Sequence, residues 1–284
     1  AVKAVRLMQQ VIVHEHHHVG WKMLAAALAT LVLTSSLQGQ CTAGELMPFD
    51  HAANDQFGYS VALSGNLCVV GARQDDGPFA NNGSATVFRY QITSDRWIEE
   101  ARLVAADAAS FDEFGFSVAA FSQGDLAGSS EWVVVGSRHD DDNGTDSGSA
   151  YVFRKNSSGV WSQFAKIKAS DAAGGDRFGF SVAMHGDCIV IGSREDDSPP
   201  STNAGSAYVF RFNGTAWIQQ AKLRAADFQA NDQFSHSVAL ARMADGVTLL
   251  AAVGSWHDDD NGADSGSAYI FAFNAATMQW TQQA

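Results

Sequence analysis

Beyond residue 50 the apolar positions fall into short runs, and the same four kinds of run return in the same order four times. The first kind sets small and apolar residues behind an aromatic. It reads Phe57-Gly58-Tyr59-Ser60-Val61-Ala62, Phe114-Gly115-Phe116-Ser117-Val118-Ala119, Phe178-Gly179-Phe180-Ser181-Val182-Ala183 and Phe234-Ser235-His236-Ser237-Val238-Ala239. The second kind is continuously apolar and ends in glycine, at Gly71, Gly136, Gly192 and Gly254. β-Branched runs this short, bounded by turn residues, predict buried strands. The third opens Gly-Ser-Ala at Gly83, Gly148, Gly205 and Gly266, then alternates so that small side chains line one face and bulky ones the other. Trp97, Trp161, Trp217 and Trp280 mark the fourth.

A unit that recurs every 56 to 64 residues, from Phe57 to Phe114 to Phe178 to Phe234, is a repeat architecture. Four strands per unit in tandem copies predict an all-β fold, a β-propeller of four-stranded antiparallel blades. No stretch after Asp50 carries the long 3.6-residue period of a helical solenoid, and a β-helix would repeat at a much shorter interval. The predicted blades run over about 50–106, 107–170, 171–226 and 227–284, within a propeller region 45–284 that follows a leader at 1–44. Two completions are open. The four repeats belong to a longer propeller, the favoured reading, or residues near Leu46 complete the last blade and close a ring of four.

Composition narrows the class. Of 284 residues 46% are hydrophobic, enough for a sizeable core, and the net charge of −13 gives no basic footprint for nucleic acid or anionic membranes. Lys22 followed by Met23–Leu33 and a small, polar exit reads as a signal peptide, too short to span a bilayer. No other transmembrane segment is expected, and the protein is expected to be secreted or at the cell surface. The His-rich tract His14–His18 lies upstream of that core and is read as discarded sequence. Cys68 and Cys188 hold matching places in different repeats, so they are read as small buried residues rather than a disulfide.

The Phe-Gly pairs, the Val-Gly-[Ala/Ser] strand ends and Gly-Ser-Ala-Tyr-Val-Phe resemble FG-GAP repeats, the blades of the integrin alpha-chain propeller and of many secreted or surface proteins. The resemblance implies a propeller, usually of seven blades, in an extracellular protein that binds ligands or mediates adhesion. Phe57, Gly58, Phe114, Gly115, Phe178, Gly179 and Phe234 are the motif residues here. Departures exist. Arg73, Arg138, Arg194 and Trp256 stand where the motif has proline, Ser235 replaces a glycine, and the Asp-x-Asp-x-Asp-Gly calcium loop between the first two strands is missing; the nearest stretch, Asp125–Glu131, lacks most of the oxygen ligands.

Acidic loops fall instead between the second and third strands. They read His139-Asp140-Asp141-Asp142-Asn143-Gly144-Thr145-Asp146 and His257-Asp258-Asp259-Asp260-Asn261-Gly262-Ala263-Asp264. Clustered carboxylates around a glycine turn can offer Ca²⁺ several hard oxygens, making Asp140, Asp142, Asp146, Asp258, Asp260 and Asp264 candidate ligands. The competing reading is a tight turn with a solvated acidic rim. Asp55, Asp112, Asp176 and Asp232 recur before each Phe, which predicts a turn role accepting backbone N–H groups.

No nucleophile motif or phosphate loop is present, and His139 and His257 are equivalent by repeat, whereas an active site needs unlike groups converging on one place. The protein is therefore expected not to be an enzyme but a module binding an extracellular protein or glycan. The alternative is a lectin, or a propeller enzyme acting on polysaccharide. Trp132 and Trp256 are unique to their repeats and are the candidate ligand contacts. Asn82, Asn143, Asn156 and Asn213 match the N-glycosylation pattern.

Overall fold

Each run forms a strand. The computed structural model describes residues 45–122, 131–197 and 199–284; the leader and most of the Asp125–Glu131 stretch lie outside them. Blade 1 is β1 (Phe57–Ser64), β2 (Leu67–Ala72), β3 (Ser84–Gln91) and β4 (Arg96–Leu103). Blade 2 is β5 (Ser117–Phe121), β6 (Trp132–Ser137), β7 (Ser149–Lys155) and β8 (Trp161–Ile167). Blade 3 is β9 (Phe178–His185), β10 (Cys188–Ser193), β11 (Ser206–Phe212) and β12 (Trp217–Leu223). Blade 4 is β13 (Phe234–Arg242), β14 (Leu249–Ser255), β15 (Ser267–Asn274) and β16 (Gln279–Gln282).

Every blade is an antiparallel sheet with its strands in chain order, and among the described residues there is no α-helix. The last blade takes its fourth strand, β16, from its own repeat rather than from a segment near Leu46. The unit that holds the blades is Met47–Ala284.

The blades pack in chain order, and the alternation seen in the sequence decides how. The face of blade 1 bearing Leu67, Val69, Ala85 and Val87 meets the face of blade 2 bearing Phe114, Val133, Tyr151 and Phe153. Blade 2 repeats the arrangement on blade 3 with Val134, Ala150 and Val152 against Phe178, Ile189, Tyr208 and Phe210. Blade 3 repeats it on blade 4 with Val190, Ala207 and Val209 against Phe234, Val253, Tyr269 and Phe271. Small faces therefore receive bulky ones, and the two sets of side chains make up each buried interface.

The Phe-Gly motif fastens these interfaces. Phe114, Phe178 and Phe234 are fully buried, each donating its backbone N–H to the preceding blade, at the carbonyls of Asn82, Ser147 and Ala204 (2.9–3.0 Å). Ser60, Ser117 and Ser181 donate their hydroxyls forward to the carbonyls of Gly115, Gly179 and Ser235 (2.7–2.8 Å). Gly71 and Gly136 must be glycine because a Cβ there would lie 2.1 and 2.0 Å from the next blade's carbonyl oxygen. Ser235 is accommodated in place of glycine at φ 75°, a left-handed value that costs a non-glycine residue, while its hydroxyl bonds the Ser206 carbonyl at 2.6 Å.

Candidate functional site

In each antiparallel blade the first and third strands begin, and the second and fourth end, at the same end of the sheet. That end collects the acidic loops, the inter-blade connections and the residues that replace the motif proline.

The predicted carboxylate turns form. Asp55, Asp112, Asp176 and Asp232 each accept a hydrogen bond from the backbone N–H three residues earlier, at Ala52, Ala109, Ala173 and Gln229. Burial pushes the Asp112 and Asp176 carboxyls up to about 6, against the opposing pull of those N–H groups.

The acidic loops are braced from within. Asp140 is buried, its main-chain carbonyl accepts the Gly148 N–H at 2.8 Å, and its carboxylate accepts the Asp142 N–H and the Tyr151 hydroxyl. Asp141 accepts the Asp146 N–H at 2.8 Å. The loop of blade 4 repeats each bond with Asp258, Gly266, Asp260, Tyr269, Asp259 and Asp264.

Of the candidate calcium ligands, the structure brings Asp140 and Asp142 together with Asp107, a residue not among those candidates. Asp146 turns away, toward His139 at 4.0 Å. The Lys166 ammonium lies 2.7 Å from Asp107, Asp140 and Asp142 alike. A side-chain cation thus sits where a divalent ion would have to bind, so the arrangement fits an internal ion-pair network better than a calcium cage. Burial alone would depress Lys166; the three carboxylates more than reverse that and hold it above its ordinary value. Burial likewise raises Asp107, but the Lys166 and Tyr151 hydrogen bonds outweigh it and the carboxyl lies below its usual range.

Blades 1 and 3 place a cation at the same point. Arg102 bridges Asp50 and Asp75, and Lys222 bridges Asp171 and Asp196. In blade 4 Asp227, Asp258 and Asp260 approach one another, and among the described residues none of them makes an ion pair. The Asp258 charge pushes the Asp260 carboxyl up. Asp264 stands apart, 4.0 Å from His257.

Toward the first strands of the blades, one belt crosses all four. Tyr59, Phe116, Phe180 and His236 follow one another at ring separations of 5.0, 4.9 and 5.2 Å. Arg73, Arg138 and Arg194 lie over Tyr59, Phe116 and Phe180 at 4.1–4.2 Å. Glu113 accepts both Arg73 and Arg138, and Glu195 accepts Arg177 and Arg194. At the fourth position Trp256 replaces arginine and stacks on His236 and, at 3.7 Å, on His257. The sequence showed these arginines only as departures from a proline; their regular return was the signal that they act together.

Trp256 is 48% exposed and donates its indole N–H to Gln233, so it is placed as a surface contact would be. Trp132 is not. It is 4% exposed and packs among Phe164, Phe212 and Trp217 between blades 2 and 3, with Arg154 over its ring. Its place in the apolar second strand, two residues from Val134, makes it a core residue. Asn82 is also buried, its side chain bonded to Gly77 and Gly83, which removes it as a glycan acceptor, whereas Asn143, Asn156 and Asn213 are exposed. A shallow groove of 480 Å³ beside Phe164, Phe210 and Trp217 holds no carboxylate, histidine or cysteine.

These repeated fastenings have a counterpart among known families. The FG-GAP repeat family matches residues 42–88, 97–153, 161–210 and 217–271, most of the chain and one match per blade. The chain belongs to the FG-GAP repeat family. Each FG-GAP match covers the first three strands of a blade or nearly so, with the Phe-Gly motif and the glycine strand ends, and the last three matches begin with the fourth strand of the blade before, so they straddle the junctions. No curated protein matches the chain. Among solved structures, the crystal structure of Saccharomyces cerevisiae Sqt1 is similar with a TM-score of 0.46 and 10% identity, over 82% of this chain and 49% of that one. The FG-GAP chain therefore spans about half the length of that protein.

Proposed function

We propose that this FG-GAP propeller is a non-catalytic binding module, secreted or displayed at the cell surface, that takes an extracellular protein or glycan in an adhesion-type contact. The observation that carries the reading is the pair of braced loops at 139–148 and 257–266. Each commits its first two carboxylates to its own backbone and hydroxyl partners, and leaves 142–145 and 260–265 exposed to solvent. Preorganised loops on a stiff scaffold lose little entropy on binding, the condition for a composite recognition surface. FG-GAP repeats are typical of extracellular proteins, and no helix among the described residues is long and apolar enough to cross a membrane. Trp256 favours a glycan as one form of ligand, since its exposed indole face, stiffened by His257, suits a sugar ring.

A glycan and extracellular-protein array, run beside a hydrolase and lyase screen, tests the reading. Binding without turnover is expected, weakened by Trp256→Ala or by replacing 257–265 with a neutral loop. Turnover of a polysaccharide, or binding indifferent to both changes, would overturn it.

A further inference from the structure

The position just before the Phe of each first strand breaks the repeat. It holds Gln56, Glu113, Arg177 and Gln233 in blades 1 to 4. At the junction of blades 1 and 2 it is an acid, and Glu113 accepts Arg73 from the blade before and Arg138 from its own. At the junction of blades 2 and 3 the same place holds a base. Arg138, at the end of β6, has Arg177, at the start of β9, where Arg73 has Glu113. Arg194, at the end of β10, is the third cation, and the charges of Arg138 and Arg177 act on it and on His139 alike. This junction has a blade on either side, so its composition does not depend on how many blades the ring holds.

The cations outnumber the acids that hold them. Arg177 and Arg194 share one oxygen of Glu195, at 2.8 and 2.9 Å, and Arg138 shares Glu113 with Arg73. Two carboxylates thus serve four guanidiniums, in a chain whose net charge is −13. Asp146 of the acidic loop faces His139 at 4.0 Å and, among the described residues, pairs with none of the arginines. Arg177 Nε, Arg194 Nε and His139 Nε2 are buried with no hydrogen-bond partner. Burial, with the charges of Arg177 and Arg138, holds Arg194 below its ordinary value despite Glu195. Like charges crowded together destabilise one another until an anion answers them. The arginines are also held in place for one. Arg138 and Arg194 lie over Phe116 and Phe180 at 4.1 and 4.2 Å, and Arg138 faces Phe180 at 5.9 Å as well, so little ordering remains to be done on binding. Arg177, 27% exposed, keeps the cluster open to solvent.

We propose that Arg138, Arg177 and Arg194 form a binding site for an oxyanionic group such as sulfate, which bridges their guanidiniums across the junction of blades 2 and 3. Guanidinium forks match the paired oxygens of such a group. Arg138 leaves both Nη atoms, and Arg177 and Arg194 one each, without a bond among the described residues, and these are the donors the anion takes. The site does not depend on what the acidic loops bind.

Inorganic sulfate titrated into the full chain at constant ionic strength, followed by calorimetry and by melting temperature, tests the site. Saturable binding is expected. Arg177→Gln should weaken it roughly ten-fold or more. Glutamine stands at this position in blades 1 and 4, so the variant should fold. Arg177→Glu should abolish the binding and, without sulfate, melt no lower than the parent, because the new carboxylate meets Arg138 as Glu113 meets Arg73. The general stabilisation by excluded sulfate does not saturate and stays in that variant, which makes it the baseline. A sulfated disaccharide at equal sulfate concentration separates the sources: tighter binding than the free ion assigns the site to a group carried on a saccharide, and equal or weaker binding to a free anion. A parent that shows no saturable binding of sulfate, or an Arg177→Glu variant that retains it, would overturn the proposal.

Discussion

At the scale of single residues, the glycines and the buried cations carry the fold's least forgiving requirements. Gly136→Ala should lower stability by roughly 2–3 kcal/mol or more, at the upper end of overpacking costs, because the obstructing atom is a backbone oxygen that cannot rotate away. Gly254→Ala should cost the folded chain much less, since only the Ser237 hydroxyl must move; comparing the two by urea denaturation separates a steric need for glycine from a conformational one. Lys166→Met should destabilise by roughly 3 kcal/mol, the low end for removing one partner of a buried pair, because Asp107 and Asp142 keep access to water. Adding Asp140→Asn to Lys166→Met should recover part of that loss, since the uncompensated buried charge is then gone. A double variant no more stable than Lys166→Met would show that the ammonium contributes by packing on Tyr151 rather than by charge. The sequence displayed the Asp140 and Asp142 carboxylates plainly but not their partner. Lys166 is distant along the chain, and only the pairing of β7 with β8 brings it alongside Tyr151.

At the scale of the element, strand identity and order were legible because every run is short, bounded by turns and repeated, so four copies vote on each boundary. Trp132 was misread for a physical reason. Uniqueness among repeats marks a position where packing differs as readily as one where a ligand is met, and the second strand is enclosed on both faces. The Asp before each Phe was legible as a turn residue, but its burial was not, and burial sets a pH dependence. Asp112 and Asp176 have folded values of about 6 against an ordinary 3.8, so the protonated form is the one that folding favours. Their contribution is complete below about pH 3.8 and is lost as pH rises through 6, on the order of 2–3 kcal/mol for each. Asp107, Asp142 and Asp171 are shifted the other way, so their contribution is present above pH 3.8 and fades as pH falls through their lowered values. From these groups the melting temperature should be highest near pH 4 and decline as pH rises through about 6. In the Asp112→Asn, Asp176→Asn variant, where the amide oxygen can still accept the turn N–H, the decline from pH 4 to 7 should flatten; an unchanged decline would assign it to other groups.

At the scale of the whole molecule, stability is a sum over blades and the junctions between them, as in other tandem-repeat proteins. Each blade has two broad faces, and among the described residues only blades 2 and 3 have both covered by neighbouring blades. Strands whose faces are both enclosed can exchange their amide protons only through a large opening, whereas a strand with one bare face needs a smaller one. Hydrogen exchange on the dilute chain should accordingly find the slowest amides in β6, β7, β10 and β11, and the fastest strand amides in β1 and β16. Uniform exchange across all sixteen strands would mean that the four blades open as one unit, and the additive account of their stability would have to be given up.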